Sequence, residues 1–518
     1  MSPLPVRRYP YSLDEPLLWL TPKDPWTIRM ACEGAQILGD MGSGKTSGSG
    51  KTIAKAMLKA GFGGLVLCKK TDECAAWVQY ARETGREDQL LIVHPSQRWR
   101  FNFLEYSFTR AGEGAGYVPN AINLMLNLIE NRRERSGGAT QRQEPFWIEN
   151  ARRMLRYTME ALILAGEPVT MDHLKRALTL LPYAHPRTGK VIWNKDSFLS
   201  HLLIKATWRH RHGLNDGALT STDPTEIKTY FESEFGGLGT DRQSAGIVST
   251  WTGMAEPFLS GPIRDILCTS TNFIPEFSRR GAVIILNFPL DEWEEIGRTA
   301  QLAFKYIWQR AILRRQNLPS GEVPVFLWAD EAQNFVTSAD MAFQTESRSS
   351  VCCTVFLTQN INNYVAAFHE NAEAHANALL AGLALKVFHR QGDYRTNEWA
   401  AQTIAQGRVV YYNGGASDSR GLSESGNWGY NRNWSSGPGG SSGGGGTSSG
   451  TSSGTSRQRS TNEGWSQQRG FQVEPEVFTR LRSGGPEHKN QVEAILFKSG
   501  ASFEPTGRPF TGVTFRQR

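Results

Sequence analysis

The sequence predicts an α/β fold in which a parallel sheet is interrupted by an all-helical insertion. Three observations carry this. Short apolar runs alternate with amphipathic stretches over 35–105 and again from 282 onward, as parallel strands joined by crossover helices do. Helical periodicity without strand signals fills 117–257. A glycine-rich loop, Gly, four residues, Gly-Lys-Thr, follows the first apolar run.

In chain order, the run 35–38 is the first strand, and a helix is expected from Thr52 to Lys59. GGLVLCKK (63–70), a helix over 73–83 and LLIVHP (90–95) complete the first part. In the insertion, FWIENARRMLRYTMEALILAG sets Trp147, Ala151, Met154, Leu155, Met159, Leu162 and Ile163 near the spacing of one helix face. WRHRHG (208–213) is a basic turn, because His210 and His212 at i, i+2 share no helix face for a metal. The alternation resumes with AVIILNFP (282–289), a helix over 293–316, VPVFLWADE (323–331), CCTVFLTQ (352–359), ALKVFH (384–389) and RVVYYN (408–413). Residues 435–456 contain only Gly, Ser, Thr and Pro, the composition of a flexible linker. VEAILFKSGASF then has the pattern of a strand returning to the sheet. The divisions are 1–30 (N-terminal segment), 31–116 (α/β, first part), 117–257 (insertion), 258–415 (α/β, second part), 416–468 (disordered Gly/Ser-rich loop) and 469–518 (C-terminal return).

Residues 39–57 read GDMGSGKTSGSGKTIAKAM, with GSGKT twice. Spacing chooses between the copies. Gly39 precedes Gly44-Lys45-Thr46 by the required four residues and follows an apolar run. The corresponding glycine of the second copy falls on Lys45, and no strand precedes it. Gly39, Gly42, Ser43, Gly44, Lys45 and Thr46 are therefore the expected phosphate cradle. Lys45 is expected to reach the β/γ-phosphates of ATP or GTP and Thr46 to ligate Mg²⁺. Lys51 lies about 240° further around the helix and points away. Gly48 and Gly50 weaken that helix and are expected to allow close packing.

VPVFLWADEAQNF supplies the partner. A buried strand leads into Asp330-Glu331, with Asp330 expected on the Mg²⁺ side and Glu331 as the base that polarises water. The next strand ends in Thr358-Gln359, and Gln359 is a candidate γ-phosphate sensor; the alternative is a bond to a loop carbonyl. Arg348 is either an arginine finger across a subunit interface or the partner of a nearby Glu.

Across 518 residues the formal charge is +7, which permits contact with nucleic acid or an anionic surface and is equally that of a mildly basic enzyme. The six cysteines, Cys32, Cys68, Cys74, Cys268, Cys352 and Cys353, form no CxxC pair and read as reduced core thiols of a cytoplasmic protein. No signal-peptide pattern and no stretch of about 18 apolar residues is present.

GDMGSGKTSGSGKTIAKAMLKAGFGGLVLCKK, WADEAQNF, SRSSVCCTVFLTQNINNY and HRQGDYRTNEWAAQTIAQG together resemble the conjugative coupling proteins. These are the TraG/TraD-like ATPases of type IV secretion, within the FtsK/HerA group of DNA pumps. The resemblance covers roughly 30–415 and resumes at 470–515. It implies a RecA-like P-loop NTPase domain carrying the helical insertion. It also implies a homo-hexameric ring with ATP at its interfaces, which draws DNA, single-stranded and without sequence preference, often with a bound relaxase, to the secretion channel proteins. Lys45 and Thr46 match the Walker A positions, Asp330 and Glu331 the Walker B pair, and Gln359 the glutamine after the following strand; Arg348 falls where the family has an arginine. The family's N-terminal transmembrane pair has no counterpart here, so the expected location is cytoplasmic, peripheral to the inner membrane through partners. Two other readings stand beside it. One is a soluble FtsK/HerA-like pump for DNA processing, defence or packaging; the other is a nucleotide-gated module that recruits protein substrates.

Overall fold

The computed structural model describes residues 11–135, 145–214, 222–237, 241–368, 371–420 and 457–517. Its centre is a nine-stranded sheet. In chain order the strands are β1 (Ala35–Leu38), β2 (Gly63–Leu67), β3 (Leu90–Val93), β4 (Val283–Leu286), β5 (Val325–Ala329), β6 (Cys352–Thr358), β7 (Leu385–Phe388), β8 (Gln491–Lys498) and β9 (Phe510–Arg516). In space the order is β9-β8-β7-β1-β6-β5-β2-β4-β3. β3 through β7 of that row pair in parallel, and β8 and β9 add an antiparallel edge.

The parallel strands β1, β2, β4, β5, β6 and β7 are buried throughout, so their sequences read as near-continuous apolar runs, interrupted by buried Gln36, Thr354 and Lys386. The core between sheet and helices includes Ile37, Val66, Phe326, Trp328, Val355 and Leu357. Trp77, from the Glu73–Glu83 helix, stacks on Phe326 at 5.4 Å and meets Trp328 edge-on at 5.3 Å. All six cysteines are buried as free thiols.

Among the described residues between β3 and β4 the regular elements are helices, apart from a two-residue ladder pairing Tyr183–Ala184 with Val191–Ile192 that sequence periodicity did not signal. The Pro145–Ala165 helix buries Ala151, Met154, Leu155, Met159 and Leu162, the face its spacing marked. The Leu290–Leu313 helix returns from the C-terminal end of β4 to the opposite end of the sheet. There Arg315 donates to the carbonyls of Ser350, Val351 and Val323, at the starts of β6 and β5. Among the described residues no helix is long and apolar enough to cross a membrane.

The described residues of Met1–Asn397 and Phe478–Arg518 form one compact unit, and Glu398–Val477 a second. The second contains an antiparallel ribbon, Gln406–Arg420 with Arg457–Phe471, in register from Gln406↔Phe471 to Arg420↔Arg457. This differs from the sequence reading twice. RVVYYN is a ribbon strand and not a strand of the main sheet, and the ribbon extends into both ends of the segment read as loop. The Gly/Ser/Thr/Pro run 435–456 lies outside the described residues.

Candidate functional site

The site lies at the C-terminal ends of β1, β5, β6 and β7, where the chain connections diverge on either side of β1 and open parallel sheets bind ligands. β6 sits between β1 and β5, which brings their ends together.

After β1 the chain makes a tight loop. Gly39 N–H donates to the Thr358 carbonyl (3.3 Å) and Asp40 N–H to that of Arg390 (3.0 Å). Gly42 and Gly44 adopt φ of +71° and +83°, the left-handed region that glycine enters without a Cβ penalty. A Cβ on Gly44 would also lie 2.5 Å from Val492 of β8. Thr46–Gly50 then forms a π-turn, with Gly50 N–H donating to the Lys45 carbonyl (2.8 Å), before the Lys51–Lys59 helix begins. The helix thus starts one residue before the expected Thr52. The packing expected of Gly48 and Gly50 is present: a Cβ at 50 would meet the Lys45 carbonyl at 2.9 Å and Leu357 at 3.1 Å, and one at 48 would meet Val492 at 3.3 Å.

Opposite the loop, β5 ends at Asp330-Glu331. Thr46 Oγ1 donates to Asp330 Oδ2 (2.6 Å), and buried Lys45 Nζ lies 3.4 Å from Glu331 Oε1. Glu331 takes φ +49°, a sparsely populated conformation for a side-chain-bearing residue. Its carboxylate accepts from Gln333 Nε2 (2.8 Å) and Gln359 Nε2 (3.3 Å). Burial works against ionisation, but the Gln333 amide, the Lys45 charge and the Gln359 amide together hold the carboxyl below its ordinary value. Thr358 Oγ1 donates in turn to Gln333 Oε1 (2.7 Å). Lys45, Thr46, Asp330, Glu331 and Gln359 therefore meet at one point. Lys51 Nζ instead lies 5.8 Å from the centre of the Tyr80 ring.

Arg348 is not in this group. It precedes β6, whose seven residues carry the chain about 20 Å to Thr358. Its guanidinium lies 3.7 Å from Glu33.

Sequence reasoning missed further residues of the site besides Gln333. Gln391 Nε2 donates to the Gln359 carbonyl (2.5 Å), and Gly392 N–H to Asp40 Oδ2 (2.7 Å), so the turn after β7 clamps both the loop and the sensor candidate. Buried His389 joins Ser49 Oγ (2.7 Å) to the Glu493 carbonyl (3.0 Å). Facing a carbonyl, Nδ1 must donate, so Nε2 accepts from Ser49. Glu73 lies close enough to Asp330 that burial, and then that charge, push its pKa well up. The position of HRQGD directly after an apolar run was the available signal.

Two features test the fit of a bound triphosphate and its metal. Buried Ser43 Oγ has no hydrogen-bond partner among the described residues. The backbone N–H groups of Gly42, Gly44 and Lys45 find no acceptor there either. Unmet donors around a lysine suit an oxyanion, and a Thr hydroxyl beside a carboxylate suits a hard divalent cation.

The fold and this site define an α/β chain of the P-loop NTPase type with a helical insertion. Residues 324–469 match the family model described as the TraM recognition site of TraD and TraG. In fold, the chain is similar to the bacterial conjugative coupling protein TrwB in an unbound monoclinic form: TM-score 0.55, 14% identity, covering 96% of this chain and 87% of that one. It is likewise similar to the plasmid coupling protein TrwB in complex with the ATP analogue ADPNP (TM-score 0.54, 15% identity, 96% and 88% covered). For TrwB in complex with ADP and Mg²⁺ the values are 0.54, 14%, 96% and 87%. A search of curated proteins finds no match. The resemblance to the conjugative coupling proteins thus holds in sequence over 324–469 and in fold over nearly the whole chain.

Proposed function

We propose that the chain is the ATP-hydrolysing motor of a conjugative coupling system, and that it drives DNA, with any attached relaxase, toward a secretion channel as a ring of identical subunits. The observation that supports this best is the convergence of Lys45, Thr46, Asp330, Glu331 and Gln359 on a loop with unmet N–H donors. The matched TraD/TraG segment and the coupling-protein fold support the conjugative setting, and the ATP-analogue and ADP–Mg²⁺ complexes of TrwB support the choice of ligands.

MgATP, when bound, supplies the phosphoryl group whose transfer to water drives the motor. The loop N–H groups and Lys45 hold the phosphate charge. Thr46 and Asp330 orient the metal's shell. Glu331, kept ionised by its amide partners, accepts a proton from the attacking water, and Gln359 aligns that water. In the structure Lys45 neutralises Glu331; engagement of Lys45 by phosphate frees the carboxylate to act as base. Arg348 acts, on this reading, only through a neighbouring subunit.

Steady-state ATP hydrolysis by full-length variants tests the assignment. Lys45→Ala and Glu331→Gln are expected to lose at least about a hundredfold in turnover, with Lys51→Ala near the parent. Loss in Lys51→Ala with activity retained in Lys45→Ala would overturn it.

A further inference from the structure

A second polar cavity, of about 440 Å³, lies far from the phosphate loop. Its walls come from four elements: the Phe103–Thr109 helix with Arg110, the Val118–Arg135 helix, the last turns of the Leu290–Leu313 helix with Arg314, and Glu346 of the Ser338–Ser347 helix. The Leu290–Leu313 helix has by then returned to the strand-start end of the sheet, where Arg315 meets Ser350 and Val351. The cavity is therefore separated from Lys45 by the length of the sheet.

Three guanidinium groups line it, from Arg110, Arg310 and Arg314. Arg314 is partly neutralised, with Glu276 at 3.7 Å and the Tyr106 hydroxyl at 3.0 Å. Among the described residues, the Arg110 guanidinium donates only to the carbonyls of Ala111 and Glu113, all at 3.3 Å. Among the described residues, Arg310 has neither an ion-pair nor a hydrogen-bond partner. The Tyr306 hydroxyl accepts from Asn127 Nδ2 (2.9 Å) and has no acceptor there for its own hydrogen. Glu113 and Glu346 also line the cavity; they are exposed, as Arg310 and Arg314 are, and among the described residues neither is within ion-pair distance of an arginine. Burial, and then the charge of Arg314, disfavours the charged form of Arg110, against the opposing effect of Tyr106 and Glu276. Like charges held together with unspent donors call for an acceptor-only ligand, and guanidinium forks match tetrahedral oxyanions.

We infer that this cavity binds a phosphate group of a second ligand, distinct from the nucleotide at the phosphate loop. The group comes either from a free diphosphate-type anion or from the backbone of a nucleic-acid strand. The volume is that of a small-molecule site, and the chemistry is common to both sources.

The test uses the full chain carrying Lys45→Ala, so that the phosphate loop contributes little. Affinities for inorganic pyrophosphate and for oligothymidylate are measured before and after adding Arg310→Gln, and separately Arg110→Gln. Arg310 is exposed and has no ion-pair or hydrogen-bond partner to lose among the described residues, so its variant is expected to unfold at the parent's temperature. Each variant is expected to weaken at least one probe by about tenfold. Loss of pyrophosphate affinity identifies a free anion as the source; loss confined to oligothymidylate identifies the strand. Unchanged affinity for both probes in both variants would overturn the inference.

Discussion

His389 illustrates how burial sets protonation and ties a loop down. The ring is fully buried, bonded to Ser49 and the Glu493 carbonyl, and burial pushes its pKa down to about 4. The unfolded chain binds that proton near pH 6.5. Between those values the unfolded state holds more protons than the native one, so this contribution is complete above about pH 6.5 and falls away toward pH 4. The cost reaches on the order of 3 kcal/mol. His389→Gln should therefore flatten the acid-side slope of stability, measured by urea denaturation at pH 7 and pH 5. Equal slopes in parent and variant would refute this. Sequence could choose Lys45 over Lys51, because the phosphate loop is a matter of local spacing. It could not find His389 or Gln391, whose roles come from contacts between β7, β8 and the loop, across long sequence separations.

At the scale of elements, the strands buried on both faces read as near-continuous apolar runs, and all were legible. The Thr46–Gly50 π-turn was not, because it depends on what Gly50 touches. RVVYYN was misplaced because a short apolar run announces a strand but not its partner. Arg315 is another feature that only tertiary structure reveals. It is buried, and burial lowers its pKa against the help of Glu322. It nevertheless satisfies three carbonyls at the starts of β5 and β6. Arg315→Met would leave the Ser350 and Val323 carbonyls without that donor, while the Val351 carbonyl keeps the Val325 N–H, and should cost about 3 kcal/mol in urea denaturation. A cost below about 0.5 kcal/mol would show that the carbonyls find other donors.

At the scale of the whole molecule, the α/β frame and the helical insertion followed from periodicity, while the function rests on combining separate signals. The phosphate loop and the acidic pair lie 284 residues apart in sequence and 2.6 Å apart in space, between Thr46 Oγ1 and Asp330 Oδ2. Neither alone separates a motor from a nucleotide-gated scaffold. A Glu331 held ionised and aligned by Gln359 favours turnover over simple binding. The C-terminal return also serves the site: β8 supplies Val492 against Gly44 and Gly48, and Gln517 donates to Ser47 Oγ (2.7 Å), so the end of the chain backs the phosphate loop. The most direct measurement is ATP turnover of the purified full chain with and without single-stranded and duplex DNA. A DNA-driven motor predicts several-fold stimulation by at least one form, lost in Glu331→Gln. Turnover that ignores every DNA tested would contradict the translocase reading and leave an ATPase that acts on protein substrates.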